Sequence, residues 1–351
     1  MSETSTPYTP ASTSTTVAGN ETLTLADEVK KYDTEGLISF FRSRDLGLSE
    51  NAIKILEKEE IDGQAFLKLG KEEFRSIGLG LGPAVKLADF AKECKDKKLR
   101  SFSLYKTKKE LGEVLRKYGI DSNDIKKIPP FVPEPVKIDE AGKHFQYCIT
   151  DIKRKMGIIG SAKSSNEAVR CSYIEAILLS AMYIVKDITR KRISLEPQFE
   201  VVGEEATGRV DYAIKKIIDS LNEELICITE GKQNQEVLGI MQNIMQLESS
   251  YHTNKRKRKA SEAFDDDFDY LYGIVTTAID WYFIMYTPER VYCTKADYHI
   301  DLTEDILEDD AKLRQGVKEV MRVIVGLLKD RVEVADSPDI KRARTEKYIK
   351  E

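Results

Sequence analysis

The sequence predicts two domains of different fold class: a small all-α bundle, followed by an α/β domain around a central mixed sheet. The chain of 351 residues has room for two or three domains. Apolar residues in 32–97 recur at helical spacing, which indicates several short helices. From about residue 141, long helical patterns alternate with short β-branched and aromatic runs, which is typical of α/β proteins.

Composition narrows the class of protein. Hydrophobic residues make up 41% of the chain, enough for real cores, while the 33% charged residues exceed the usual quarter. The net charge of −5 gives no overall attraction to nucleic acid, so such binding would depend on local patches. The five cysteines include no CxxC pair and there are only three histidines. We therefore expect reduced thiols in an intracellular protein, and no zinc site.

The N-terminal residues 1–28 are rich in Ser and Thr and are predicted to form a disordered arm. They contain no apolar core of the kind found in a signal peptide. The most apolar helical run, residues 173–185, is too short to span a bilayer and contains Glu175. These patterns predict a soluble protein without a membrane partner.

Residues 29–98 are predicted to form five short helices. Asp62 and Gly63 separate the second helix from the third, and Gly80, Gly82 and Pro83 precede a long last helix. The segments IDGQAFLKL and GLGLGPAVKL, with the sequence between and before them, resemble a sterile alpha motif (SAM) domain. The resemblance implies a five-helix bundle that self-associates or binds a protein partner, although some SAM domains bind RNA.

Residues 99–140 are predicted to connect the two domains. One amphipathic helix ends at Gly119, and the segment PPFVPEPVK follows. Its four prolines favour an extended chain, so we expect a semi-rigid spacer. A proline-rich ligand for an SH3-type partner is the alternative.

The second domain is predicted to cover residues 141–335, with a charged tail at 336–351. A helix begins near Asn166, and strands are expected around Pro197, Asp211 and Ile228. A helix with glutamines on one side, at Gln235, Gln242 and Gln246, comes next. Three further strands are expected within 270–294, and a helix from about 303 to 330 closes the domain.

Residues 208–233 contain the most informative residues of the second domain. They read as a buried hairpin, with Asp211 on the first strand and Glu230, Gly231 and Lys232 at the end of the second. Alternation along a strand places Glu230 and Lys232 on one face. Buried charges are costly unless they are paired or bind a metal. Two carboxylates suit a hard cation, and an ammonium group suits a water molecule or a phosphate oxygen.

This order of elements resembles the PD-(D/E)XK nuclease superfamily, with Val210 in place of the proline. The resemblance implies that Asp211 and Glu230 bind Mg²⁺, or Mn²⁺, near the Gly231 carbonyl. It implies that Lys232 orients the water or stabilises charge on the phosphate. The first-helix acid would be Glu167, with Glu175 in reserve, and Gln242 and Gln246 would line the site or contact phosphate.

A basic and acidic segment, 252–269, is predicted to form an exposed loop within the second domain. Five consecutive cations in it indicate a nuclear localisation signal: Lys255, Arg256, Lys257, Arg258 and Lys259. Contact with phosphate, or a merely solvated loop, are the alternatives. A weaker basic cluster lies at 341–344.

The order of the domains, with the segment YGIVTTAIDWYFIMY, resembles fungal Crinkler-type effectors, although their usual N-terminal translocation segment is not recognisable. We therefore expect a nuclear, magnesium-dependent nuclease acting on DNA, or on RNA, with a SAM domain for self-association or partner recruitment. Nothing in the sequence distinguishes DNA from RNA, or endonuclease from exonuclease. Two alternatives are a non-catalytic SAM-based adaptor and a domain that binds nucleic acid without cutting it.

Overall fold

The computed structural model describes residues 23–44, 46–163, 165–219, 222–232, 236–259, 268–335 and 337–349. In these ranges the side chains of residues 23, 39, 43 and 256–259 are not described.

The N-terminal region is helical. After strand β1 (Leu23–Thr24) and helix α1 (Leu25–Val29) come α2 (Thr34–Ser43), α3 (Glu50–Lys58), α4 (Gly63–Lys68), α5 (Lys71–Ser76) and α6 (Leu81–Asp96). The last five correspond to the five predicted helices. Side-chain oxygens of Asp33, Ser49 and Asp62 cap the starts of α2, α3 and α4. A cluster of phenylalanines, Phe41, Phe66, Phe74 and Phe90, fills the core.

The predicted disordered arm is too long at its C-terminal end. Thr24 and Asp27 form a capping box that starts α1, and Leu25 and Val29 are fully buried against the bundle. Strand β1 pairs antiparallel with β2 (Lys98–Ser101). Apolar burial and a cap therefore order residues 23–29, which the Ser/Thr-rich composition of the preceding residues obscured.

The rest of the chain is a mixed α/β region with a multi-stranded sheet. After β2, its helices are α7 (Lys108–Lys117), α8 (Lys143–Ile159), α9 (Glu167–Thr189), α10 (Glu236–Lys259), α11 (Ala311–Glu333) and α12 (Pro338–Ile349). Its strands are β3 (Arg192–Val202), β4 (Ala206–Ile217), β5 (Glu223–Gly231), β6 (Leu271–Thr276), β7 (Asp280–Tyr286), β8 (Val291–Cys293) and β9 (Tyr298–His299). Short 3-10 turns lie at Phe102–Leu104, Ile125–Lys127 and Glu304–Leu307.

The sheet runs in the order β1-β2-β4-β5-β6-β7-β8, with β3 also paired to β4 and β9 to β7. Strands β4 and β5 form the predicted antiparallel hairpin, and β5 pairs parallel with β6. Helices α8, α9 and α11 pack on one face of this sheet. Helices α7 and α10 pack on the other face. The sheet is therefore covered on both sides, and its central strands are buried.

The predicted spacer is wrong: residues 99–140 belong to the α/β region. Strand β2 pairs parallel with β4, joining Arg100 to Ala206 and Ser101 to Thr207. Helix α7 buries Leu111 and Leu115 in the same core as α10. The helical bundle and the α/β region are thus joined through a shared sheet edge.

The proline-rich segment is hydrogen-bonded to α11 and α12. The Val136 amide donates to the carbonyl of Arg322 on α11 at 3.1 Å, and the Val132 amide donates to the Tyr348 carbonyl at 3.0 Å. A Cβ atom added at Gly326 would lie 2.2 Å from the Glu134 carbonyl oxygen, so only glycine permits this approach. Proline restricts this chain to an extended conformation, and α11 provides the surface it covers.

The predicted charged tail is also wrong for residues 338–349, because they form α12. Lys341, part of the weaker basic cluster, is fully buried, with its Nζ 3.1 Å from Asp269 Oδ1. Arg331 is also fully buried, and its guanidinium lies 3.1 Å from Glu224 Oε1 and 3.4 Å from Asp269 Oδ1. Buried charges need partners, and this network supplies them.

Helix α9 is long and apolar enough to cross a membrane by length and composition alone. It is longer than the apolar run at 173–185 suggested. Half of its most apolar window is buried within the protein. Tyr173, Ile177, Leu178 and Ala181 are fully buried, and α9 packs between α8 and α11.

Truncation of Phe131 tests whether the proline-rich segment is part of the core. Its side chain is 3% exposed and stacks on Tyr272, whereas the neighbouring Val132 is 55% exposed. We expect Phe131→Ala to lower the free energy of unfolding in urea by about 3–5 kcal/mol. We expect Val132→Ala to change it by less than about 0.5 kcal/mol. Equal, small effects of both variants would contradict the packed arrangement.

Candidate functional site

The candidate site lies where β4 and β5 separate. Their pairing reaches Tyr212 and Thr229, at the end nearest α9. Beyond this pair, the Gly231 amide donates to Asp211 Oδ2 at 2.7 Å. Strand β5 stays paired with β6 through Gly231, and the Lys232 amide donates to the Thr276 carbonyl at 2.8 Å. The backbone thus fixes Asp211, Glu230 and Lys232 relative to one another.

Glu230 and Lys232 lie on one face of β5, as the alternation predicted. Lys232 Nζ is 2.5 Å from Glu230 Oε1. Gln246 on α10 donates from Nε2 to Glu230 Oε2 at 2.7 Å. Each oxygen of this carboxylate, which is only 5% exposed, therefore accepts one hydrogen bond.

Burial and like charge perturb the acids of the site. Burial, and then the charge of Asp211, raise the pKa of Glu230 to about 7. Burial also raises the pKa of Asp211, against the opposing effects of the Gly231 amide and the Lys232 charge. The Asp211 charge makes ionisation of Glu230 less favourable. An additional positive charge beside the two carboxylates would therefore be stabilised.

Of the two candidate first-helix acids, Glu167 is the one whose charge acts on Asp211 and Lys232. It is exposed in the first turn of α9, and its charge raises the pKa of both Asp211 and Lys232. Glu175 lies eight residues further along α9, about 12 Å by helical rise, where its charge raises the pKa of Tyr212. The geometry therefore favours Glu167 over the reserve residue.

Gln242 does not belong to the site, contrary to the prediction. Its buried amide donates to the Tyr105 carbonyl, in the segment before α7, at 3.2 Å. Gln246, one turn later, takes the predicted place beside Glu230. Helical spacing explains the error. Residues four apart lie on the same face of a helix, but they are one turn apart along its axis and so contact different neighbours. Gln235 lies outside the described residues.

Gln198 and Arg170 lie near the site and were missed by the sequence analysis. Gln198 donates to Asp211 Oδ1 at 3.3 Å and has a φ of 51°, a left-handed value that is unusual for glutamine. Arg170 is buried and donates to the carbonyls of Ser165, Lys163 and Thr277, which ties the start of α9 to the turn after β6. Of these residues, only Arg170 could have been noticed in the sequence, because a cation is unusual within an apolar helix.

Gly239 on α10 provides space for the lysine. A Cβ atom at this position would lie 2.6 Å from Val275 Cγ1 and 3.0 Å from Lys232 Cγ. The absence of a side chain at Gly239 lets the aliphatic part of Lys232 pack between β6 and α10. Its ammonium group is then directed to Glu230.

The oxygen donors suit a hard divalent cation, since the buried Glu230 and the half-buried Asp211 both offer carboxylate oxygens. Among the described residues, no three His, Cys, Asp or Glu side chains converge tightly enough to form a metal site unaided. Asp211, Glu230 and the Gly231 carbonyl are the groups of the site whose oxygens could hold such an ion.

The prediction of an exposed loop over 252–269 is wrong for residues 252–259. Helix α10 continues through Lys259, so residues 252–259 are helical, and residues 260–267 lie outside the described part of the chain. Lysine and arginine favour helix and are stabilised near its C-terminus. The side chains at 256–259 lie outside the described residues, so the predicted localisation signal stays a prediction.

Comparison with known proteins identifies the N-terminal region. A model of the SAM-like domain matches residues 7–93. The first part of this chain is a SAM-like domain. It buries its helices around the phenylalanine core, and β1 and β2 join it to the large sheet.

The chain is also similar to Crinkler effector protein 1 from Rhizophagus irregularis (strain DAOM 181602 / DAOM 197198 / MUCL 43194). The two are 26% identical over 193 residues, which is 55% of this chain and 39% of that protein. The chain thus spans well under half the length of this relative. A stretch of 193 residues is longer than 7–93, so the similarity reaches into the α/β region.

Replacement of Glu230 by glutamine tests the buried charge. In the folded protein the pKa of Glu230 is about 7, above its ordinary value of 4.5, so ionisation destabilises the native state as pH rises through this window. We expect Glu230→Gln to stabilise the metal-free protein at pH 8 by on the order of 1–3 kcal/mol. The gain should vanish near pH 4.5.

Urea denaturation in EDTA at pH 4.5 and pH 8 measures the difference, with the exposed Glu57→Gln as control. A gain that does not depend on pH would show that Glu230 is not held in this charged environment.

Proposed function

We propose that the α/β region is a metal-dependent phosphodiesterase of the PD-(D/E)XK type that cuts nucleic acid. The observation that carries the proposal is the arrangement of Asp211, Glu230 and Lys232 at the point where β4 and β5 separate. Glu230 is buried, Asp211 is half-buried, and Lys232 Nζ lies 2.5 Å from Glu230 Oε1. A solvated cluster of surface charges would not be held in this way. Here the Gly231 amide binds Asp211, Gln246 binds Glu230, and Gly239 leaves space for Lys232.

Asp211, Glu230 and the Gly231 carbonyl would hold Mg²⁺ or Mn²⁺, which polarises the phosphate and lowers the pKa of its water. Gly231 and Gln198 orient the Asp211 carboxylate, and Gln246 orients Glu230. Lys232, a quarter exposed, is able to turn from Glu230 towards an attacking water or a phosphate oxygen. When Glu230 holds the ion, its attraction for Lys232 would weaken, and the Lys232 ammonium group would become available.

The SAM-like domain in this proposal recruits a protein partner or associates with itself. Residues 255–259 would carry the protein to the nucleus, where DNA, ahead of RNA, is the substrate. The relative's printed name supports an effector role, which we extend to this chain only as part of the proposal. The alternative function, a non-catalytic adaptor, rests on the SAM-like match alone.

A cleavage assay tests the proposal. Purified protein is incubated with plasmid, linear duplex, single-stranded DNA and RNA, with Mg²⁺, Mn²⁺ or EDTA. We expect metal-dependent cutting that falls by about 100-fold or more in Lys232→Ala and in Asp211→Asn. No cutting of any substrate by folded wild type would contradict the proposal and favour the adaptor.

The two glutamines of α10 provide a matched control in the same assay. Gln246→Ala should slow cutting by about 10-fold, since it removes a hydrogen bond of about 1–2 kcal/mol to a charged group of the site. Gln242→Ala should leave the rate unchanged below its melting temperature. It should lower stability by about 1–2 kcal/mol, because the Tyr105 carbonyl loses its buried donor.

A further inference from the structure

Two tyrosines and a histidine form an aromatic surface on α8 and α9, away from the candidate site. Tyr147 on α8 is 67% exposed, and Tyr183 on α9 is 51% exposed. The ring of His144, one turn before Tyr147, stacks on Tyr183 with centroids 5.2 Å apart and planes within 12°. Leu179, one turn before Tyr183, is 38% exposed. Exposed aromatic groups gathered in this way usually mark a binding surface.

The aromatic surface is held in place before any ligand binds. His144 Nε2 lies 3.0 Å from Asp187 Oδ2, and Lys143 Nζ lies 3.5 Å from the same oxygen. Lys186 Nζ is 5.8 Å from the centre of the Tyr183 ring. These contacts hold the His144 and Tyr183 rings, which lowers the entropy lost when a ligand stacks on them.

Cations surround the rings. Exposed basic residues come from the start of α8, the end of α9 and the start of β3: Lys143, Lys186, Arg190, Lys191 and Arg192. Asp187 lies among them and offsets the charge of Lys143 in part. Glu175 lies two turns from Tyr183, towards the candidate site. The C-terminal end of α9, which carries Tyr183, is therefore rich in positive charge, although the whole chain has a net charge of −5.

We propose that this aromatic and basic surface binds single-stranded nucleic acid. Unpaired bases stack on aromatic side chains, while lysine and arginine contact the phosphates along the strand. The bases of a duplex are already stacked on each other and do not offer their faces. A protein partner that used the tyrosines would still have to neutralise the basic residues, and a phosphate backbone does so.

This inference rests on the proposed function, since it names the kind of strand that the same domain would receive. Glu167 lies in the first turn of α9, and Tyr183 comes sixteen residues later, about 24 Å along the helix axis. A strand occupying a site of roughly 4–16 nucleotides is long enough to contact the tyrosines and extend towards Asp211 and Glu230. The surface would then hold the strand while the candidate site acts on it.

Fluorescence anisotropy in EDTA tests the binding separately from any cutting. The full chain is titrated into fluorescein-labelled (dT)₂₀ and into a labelled 20-base-pair duplex at 50 mM salt. We expect tighter binding of (dT)₂₀ than of the duplex. The double variant Tyr147→Ala and Tyr183→Ala should weaken binding of (dT)₂₀ by about 10-fold or more, since each stacked base contributes substantially to affinity.

Two controls match these changes. Ile158→Ala removes the most exposed apolar side chain of α8, 88% exposed, at its other end, and should leave the affinity unchanged. The pair Lys186→Glu and Lys191→Glu should weaken binding and reduce the salt slope by about 2, since each lysine lost removes about one phosphate contact. The exposed pair Lys126→Glu and Lys127→Glu makes the same change in net charge elsewhere and should have little effect.

Equal affinity of the tyrosine variant and wild type would overturn the proposal, as would equal or tighter binding of the duplex. Binding to phosphatidylserine vesicles, lost in the same variants while (dT)₂₀ does not bind, would assign the surface to a membrane instead. If the protein binds (dT)₂₀ but cuts no substrate, the proposed binding surface is retained and the proposed phosphodiesterase activity is contradicted.

Discussion

The repulsion between the buried Glu230 carboxylate and the half-buried Asp211 carboxylate is the constraint on which the candidate site depends. Asp211 and Glu230 come from adjacent strands, and burial raises the pKa of both. A native structure keeps such a pair only if something stabilises it, because unpaired buried charge is expensive. Lys232 and Gln246 do part of this work, each through one oxygen of Glu230. In the proposed function, a divalent cation held by Asp211 and Glu230 would supply the remaining positive charge.

The same sheet places the SAM-like domain and the candidate site in one structure. Strand β2 follows α6 directly and pairs with β4, the strand that carries Asp211. Lys31, beside α1, lies 2.8 Å from both Glu28 and Glu200 and so links the helical bundle to β3. Gln242 on α10 holds the segment that leads into α7. The SAM-like domain is therefore joined to the strands of the site by paired strands and an ion pair, and not by the predicted semi-rigid spacer.

The sequence predicted the elements that its periodicity describes, and failed where packing decided. Helical spacing and β-branched runs revealed the five bundle helices and the strands around Asp211 and Ile228. They also placed Glu230 and Lys232 on one face, because alternation along a strand is a local property. The prolines of 129–137 and the charges of 338–349 misled, since their partners lie on α11 and beside Asp269. The sequence could not show which of Gln242 and Gln246 lies in the site, because the contacts of each amide depend on the elements packed against α10. Gln198 had no local signal at all.

The most direct test of the central claim is calorimetric titration of the protein with Mn²⁺ at pH 8 and pH 6. We predict binding to one site, lost in Asp211→Asn and weaker at pH 6, where Glu230 is protonated in most molecules, given its pKa of about 7. Absence of binding at pH 8, or binding that Asp211→Asn leaves unchanged, would contradict the assignment of this carboxylate pair as the cation site.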